Sequence, residues 1–356
     1  MVKKSLTIVR IKILTFHNEL NYGANLQAFA LVRFLHCMGH QVEFLDYSRK
    51  RQAGTAAKRW LARSPRRLIT KWRRRLFEIQ MTPIFERFQS TYLPTTSHNY
   101  QGLDSLRHRS PEADCLIVGS DQVWSNEIVS LEDMPAYLLA FGDKCVRRVS
   151  FAASSGGASF PSSYQAEWLD LIKAFDYVSV REPTLRKYLS QLGVHGVKQI
   201  FDPTILIDWS KYVLLPVEPR LNATGVFFLN QESYSRVQLD YGDIDDFSFT
   251  VLWPFDWIRR IARTRLLLTD SYHAILFAIY THTPFIFVRW GSNVPRDERV
   301  TSTLEYLGLG NRACFSLSSE DREMAAENSM HWPSVDAKLC QQRVAAEAFL
   351  KTALEM

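Results

Sequence analysis

Residues 266–288 read LLLTDSYHAILFAIYTHTPFIFV. Two apolar runs, 266–268 and 285–288, have the length and unbroken character of parallel strands buried on both faces. Between them Ala274, Ile275, Phe277, Ala278, Ile279 and Tyr280 suit a packed helix, and Pro284 restarts the chain as strand. What remains polar is the turn Thr269, Asp270, Ser271 and His273. In an open α/β sheet ligands gather beyond the carboxyl ends of the strands, at helix N-termini whose free N–H groups favour anions. This turn falls there. The plainer alternative is that Asp270 or Ser271 caps the helix and His273 is a satisfied, half-buried ring.

The same alternation begins at the other end of the chain. A strand at 11–16 runs into HNELNYGANLQAFALVRFLHCMGH, where Leu26, Ala30, Leu31, Phe34 and Leu35 recur at helical spacing until Gly39, and 42–45 is the next strand. The loop has no GxGxxG. Instead it offers Asn18, Asn21, Tyr22, Gly23, Asn25 and Gln27, uncharged groups suited to a hydroxyl-rich or anionic ligand, though Asn and Gly are also the commonest turn formers. Further strands are expected at 114–118, ending in Gly119-Ser120-Asp121, at 149–152 and at 177–180, ending in Arg181-Glu182-Pro183. A cation at a strand end before a proline-started helix is placed for bidentate capture of carboxylate or phosphate, or for a salt bridge to Glu182 or Asp202. The second half should carry strands at 226–229, 248–252, 266–268 and 285–288, with helices after Pro254, at 299–307 and at 335–356.

This pattern predicts an α/β protein with two Rossmann-like domains: 1–207 with a basic helical insertion at about 49–110, a smaller 208–330, and a closing helix at 331–356. At 356 residues, 46% hydrophobic and 22% charged, two ordinary globular cores are the expectation. The formal charge of +6 is local: 49–75 holds twelve Lys and Arg and no acid, leaving a net −6 on the rest. Such concentration argues against a nucleic-acid partner. It reads either as a solvated helical insertion or as a peripheral contact with an anionic membrane leaflet through 49–77. Five dispersed cysteines without a CxxC pair, no signal-like leader and no apolar run of membrane-spanning length point to a cytoplasmic protein without a metal site. Asp243 and Asp245 form a lone DxD, read as an acidic surface turn.

Several separated blocks in order carry a resemblance: NYGANLQAFAL with GHQVEFLDY, CLIVGSDQVWS, VSFAASSG, VSVREPTLRKYL, FDPTILID, LLLTDSYHAILFAIYTHTPFIFV and DERVTSTLEYLGLGNR. Together they resemble the polysaccharide pyruvyl transferases over most of 11–312. The resemblance implies a GT-B-like pair of domains facing a cleft and transfer of the enolpyruvyl unit of phosphoenolpyruvate to sugar hydroxyls of a glycan or lipid-linked acceptor, giving a ketal and phosphate. It implies no cofactor. His273 and Arg181 match positions that the family uses at the donor site, Asp270 and Ser271 fall in the same motif, and Arg299 matches a basic position. On chemical grounds His273 is the expected acid or phosphate partner, with Asp270 orienting it and Asp121 or Asp46 as base for the acceptor. Ser120 and the 21–27 loop are expected to line the acceptor cleft. Two departures stand out: 208–254 is short, and TDSYHA has Tyr and Ala where Phe or Leu and Gly are usual. A shortened second domain narrows the acceptor choice or marks lost activity. The rival readings are a nucleotide-sugar glycosyltransferase and a non-catalytic component of polysaccharide assembly.

Overall fold

Residues such as Cys115–Val118 and Leu266–Thr269, buried at every position, have no solvent face, and each half of the chain builds a parallel sheet around such strands. The computed structural model describes residues 8–49, 65–157, 159–214, 222–237, 244–289, 294–318 and 330–355, without the side chains of 65–74, 231–232 and 294–296. The first sheet holds β1 (Arg10–Leu14), β2 (Gln41–Ser48), β3 (Thr95–Gln101), β4 (Cys115–Val118), β5 (Arg147–Ala153), β6 (Tyr177–Val180) and β7 (Lys198–Gln199), in the order β3-β2-β1-β4-β5-β6-β7. The second holds β8 (Thr224–Phe227), β9 (Ile244–Asp246), β10 (Leu266–Thr269), β11 (Phe285–Val288) and β12 (Ala313–Cys314), ordered β12-β11-β10-β8-β9. Strand order reverses between β1 and β4 and between β8 and β10, the places where doubly wound sheets bind ligands.

The helices that matter to the site are α1 (Tyr22–Cys37), α2 (Pro65–Tyr92), α3 (Pro183–Gln191), α4 (Pro254–Arg263), α5 (Tyr272–Tyr280), α6 (Val294–Leu307) and α7 (Trp332–Leu354). Asn21 starts α1 by accepting from Ala24 N at 3.1 Å, and Gly39, at φ 88°, lies just past its end. Between the halves α1 packs against the 3₁₀ turn Pro203–Leu206, α4 and α5. Phe29 sits among Phe88, Trp209 and Phe255, and Tyr22 stacks on Trp257 at 5.0 Å. One apolar core therefore draws on both sheets. Each such Phe contributes about 1.5–3 kcal/mol on burial.

Two expectations need correction. Residues 95–101, assigned to an insertion, form edge strand β3 on β2, and Met81, Phe85 and Phe88 of α2 are core residues. The 49–110 stretch is thus partly integral to the first sheet, because β3 and α2 cover an otherwise open edge and face. Residues 248–252 are loop rather than strand; the pairing with β8 comes earlier, at 244–246, and the carbonyls of Thr250 and Leu252 accept from Tyr22 instead. The closing helix also returns to the first sheet: Phe349 packs on Phe151 and Tyr177, and Arg147 donates to the carbonyls of Ala353 (2.9 Å) and Glu355 (2.6 Å). Residues 50–64, at the centre of the basic segment, lie outside the described residues, as does Asp243 of the DxD; Asp245 pairs with Arg260.

Candidate active site between the two sheets

The turn after β10 ends in Ser271, whose hydroxyl caps α5 by accepting from Ala274 N at 3.4 Å. Capping fixes the first turn of α5 and so directs Tyr272 and His273 back toward the first sheet. The imidazole is 7% exposed and wedged between two groups from the front half. On one side its Nε2 lies 3.3 Å from Asp202 Oδ2. On the other is Gly23, where an added Cβ would stand 2.1 Å from Nδ1. Glycine is needed there for space.

Asp202 is the hub. Its Oδ2 accepts from Arg181 Nη2 at 2.7 Å as well as meeting His273, and its Oδ1 accepts from Thr204 N at 3.0 Å. Burial works against the charge, yet Arg181 and His273 hold this carboxyl well below the usual carboxylate range. The carboxylate that orients His273 is therefore Asp202, and the assignment of that task to Asp270 is corrected. Both oxygens of Asp270 bond the backbone just past β8, accepting from Leu229 N (2.7 Å) and Asn230 N (2.9 Å), while burial pushes its pKa up to about 6.

Arg181 extends from the end of β6 and is 2% exposed. Its Nη2 also bonds the Ser120 hydroxyl, which in turn donates to the carbonyl of Ala152 at 2.9 Å. Its guanidinium lies 4.9 Å from the centre of the Tyr272 ring, and Arg299 of α6 lies 5.6 Å from the same ring. With the Gln122 amide oxygen turned toward it, Arg299 donates to that oxygen through Nη2 at 3.1 Å. Burial and the Arg181 charge pull the Arg299 guanidinium below its ordinary value, which Asp121 and Glu182 partly offset. Arg181 Nε and Nη1 and Arg299 Nε are buried without a partner among the described residues. Asp121 stands on the rim in left-handed backbone at φ 79°, its carboxylate accepting from Gln122 N at 2.8 Å.

The loop expected to receive an acceptor fastens the fold instead. Asn21 caps α1, Asn25 donates to the carbonyls of Glu19 (2.7 Å) and Asn21 (2.9 Å), and Gln27 donates to Thr15 Oγ1 (3.2 Å) and the Ala24 carbonyl (3.0 Å). Tyr22 ties the halves together through its bonds to 250 and 252, and Ser120 serves Arg181. Asn25 and Gln27 are buried, and apart from Gln27 Oε1 their amide groups bond within the fold. Asp46 lies on β2, beside His17 and two strands from β4. A separate polar hollow of about 560 Å³ opens at the carboxyl ends of β1 and β2, walled by Glu19, Tyr47, Arg49, Asn126, Ser130 and Asp133. Among the described residues no three His, Cys, Asp or Glu side chains converge as metal ligands, and no helix is long and apolar enough to cross a membrane.

Asp202, Tyr272 and Glu182 were not assigned to the site from sequence. The signal for Asp202 was an acid before proline at the close of the front half; Tyr272 shows only as a departure within TDSYHA.

A family model described as Polysaccharide pyruvyl transferase matches residues 21–293, a span holding Gly23, Arg181, Asp202 and His273. The chain belongs to the polysaccharide pyruvyl transferase family. Arg299 of this pyruvyl transferase family member lies beyond the matched span. No curated protein matches the chain. Among solved structures it is similar in fold to the UDP-N-acetylglucosamine 2-epimerase of Rickettsia bellii, with TM-score 0.52 and 10% identity over 98% of this chain and 96% of that one. It is likewise similar to Arabidopsis thaliana UGT89C1, solved with UDP-L-rhamnose, with TM-score 0.50 and 10% identity over 98% of each chain. At such identity the likeness concerns the fold, which is GT-B-like: two parallel α/β sheets meeting at a shared site.

Proposed function

We propose that this family member transfers the enolpyruvyl unit of phosphoenolpyruvate to sugar hydroxyls of a bacterial surface-polysaccharide precursor, forming a pyruvate ketal and releasing phosphate. The observation that carries this reading is the pair of guanidinium groups set against one Tyr272 ring with three nitrogens unpartnered. A buried donor without a partner costs about 1–3 kcal/mol, so two such groups favour an anion rich in acceptors. Phosphoenolpyruvate carries its carboxylate and its phosphate ester on the same vinyl carbon, one anionic group for each planar fork. Asp202 keeps Arg181 and His273 in register from opposite halves, which leaves the imidazole beside the donor as acid or phosphate partner. Asp121 on the rim is the base for an acceptor hydroxyl. The donor enters as a substrate, and the reading calls for no cofactor.

The glycan acceptor is assigned to the hollow walled by Glu19 and Asn126. Its volume is in the ~300–1,000 Å³ range of small-molecule sites. Glu19 is four residues from Gly23, a chain distance of at most ~14 Å, so the hollow is within reach of a sugar held at His273. A cytoplasmic location at the inner face of the membrane, reached through basic residues 49–77, suits a lipid-linked acceptor and rests on charge alone.

The decisive experiment incubates the protein with phosphoenolpyruvate and free or lipid-linked envelope oligosaccharides and follows phosphate release and the mass of the ketal. Arg181→Lys, which loses the fork, is expected to raise the KM for phosphoenolpyruvate. Thermal-shift titration with phosphoenolpyruvate, UDP and GDP separates the rival. Stabilisation by a nucleotide and none by phosphoenolpyruvate transfers the assignment to a nucleotide-sugar glycosyltransferase. Binding of phosphoenolpyruvate without phosphate release from any acceptor assigns a non-catalytic role.

A further inference from the structure

Glu182 follows Arg181 at the entrance to α3 and is 1% exposed. Its Oε1 takes the Ser154 hydroxyl, and that hydroxyl accepts from Gly156 N at 3.0 Å, so the carboxyl is held in one orientation. Its Oε2 is buried with no partner among the described residues. The charged groups around it are Arg181 beside it, Arg299 from α6, and Asp121 and Asp202, which face the same arginines, with the Tyr272 ring between the two cations. A structural ion pair closes its own hydrogen bonds. Here a carboxyl oxygen and three guanidinium nitrogens are left open in one cluster. Glu182 thus faces both arginines electrostatically yet closes a hydrogen bond with neither among the described residues.

We propose that Glu182 is the acid that delivers a proton, through Oε2, to the methylene carbon of phosphoenolpyruvate bound between Arg181 and Arg299. This inference rests on the phosphoenolpyruvate reading above. An ionised Glu182 would repel a trianion and add a second negative charge to that of Asp202 beside the two arginines. Burial pushes the carboxyl above the usual carboxylate range, with Ser154, Arg181 and Arg299 opposing, and a protonated Glu182 would add no negative charge beside the donor to that of Asp202, which already pairs with Arg181. The proton from Oε2 is taken by the electron pair of the carbon–carbon double bond, which becomes the new C–H bond of a methyl group. The adjacent carbon accepts a lone pair from the first sugar hydroxyl, whose proton is taken by Asp121; after turnover Asp121 returns it to solvent and a solvent proton resets Glu182. The C–O bond to phosphate then breaks with its electron pair on phosphate, the second hydroxyl closes the ring at the same carbon, and its proton leaves with the phosphate. Trianion and diol become a ketal monoanion and hydrogen phosphate.

The test compares wild type, Glu182→Gln and Glu182→Asp, each checked by thermal melting. Turnover is measured with phosphoenolpyruvate and envelope oligosaccharides across pH, and the infrared band of a protonated carboxylic acid is measured at neutral pH in the free protein. The expected result is a Glu182→Gln kcat lower by ~10²–10⁴-fold, unchanged KM for phosphoenolpyruvate, loss of the alkaline limb of the kcat profile, and loss of the infrared band. Glu182→Asp should keep the band and part of the turnover. A folded Glu182→Gln with wild-type kcat, or with raised KM alone, overturns the assignment. Absence of the band from wild type overturns it too, whether or not turnover is found. Wild type that shows the band yet releases no phosphate from phosphoenolpyruvate refutes the proposed function instead, and with it the step assigned to this acid.

Discussion

At the scale of single residues the site depends on one missing side chain. A methyl at Gly23 would meet the His273 ring at 2.1 Å, and the ring has Asp202 behind it. Gly23→Ala is therefore expected to displace the imidazole and lower turnover by about 10²-fold, the usual cost of a ~1 Å misplacement, while overpacking removes about 1–3 kcal/mol of stability. Phosphate release and chemical denaturation measure the two effects. Asp270 has a different kind of consequence. Its folded pKa is raised by burial to about 6, above its unfolded value, so the folded state binds the proton more tightly. Its contribution to stability is full below the unfolded pKa and is lost as pH rises through about 6. Asp270→Asn removes that titration and leaves one of the N–H groups of Leu229 and Asn230 short of an acceptor, at a cost of about 1–3 kcal/mol. The wild-type advantage over the variant should accordingly shrink from acid to neutral pH, as urea titrations at several pH values will show; a constant difference contradicts the assignment.

At the scale of elements, α7 joins what the sheets leave open. Leu350 and Ala353 are fully buried, and Phe349 reaches β5 and β6. Leu350→Ala should cost about 2–5 kcal/mol, read as a lower Tm, because the cavity opens at a seam fixed on both sides. Elements such as β6, β11 and α4 were legible in the sequence because their signals are local: a short, mainly apolar run bounded by turns, or proline at a helix start. Strand β3 was not. TTSHNYQ carries only one buried residue in an otherwise exposed or half-exposed pattern, so it has no apolar run, and it is a strand because β2 offers an open edge. The shift of β9 to 244–246 has the same origin, since IDD pairs with β8 by position rather than by apolar pattern.

At the scale of the whole molecule, one core crosses between the sheets, with Tyr22 and Phe29 packed on Trp257 and Phe255. That continuity is what lets a guanidinium of the front half and an imidazole of the back half share a carboxylate. The sequence by itself determined the α/β class, the two successive sheets, the polar turns at strand ends, and Arg181 and His273 as candidates. All of these follow from periodicity and turn chemistry within a few residues of each other. Only the tertiary structure decided that Asp202, 71 positions from His273, orients the ring, that Asp270 binds backbone, and that the 21–27 amides are structural. Hydrogen-bond partners are chosen by distance in space once the chain has crossed from one sheet to the other, and strand patterns do not encode that distance.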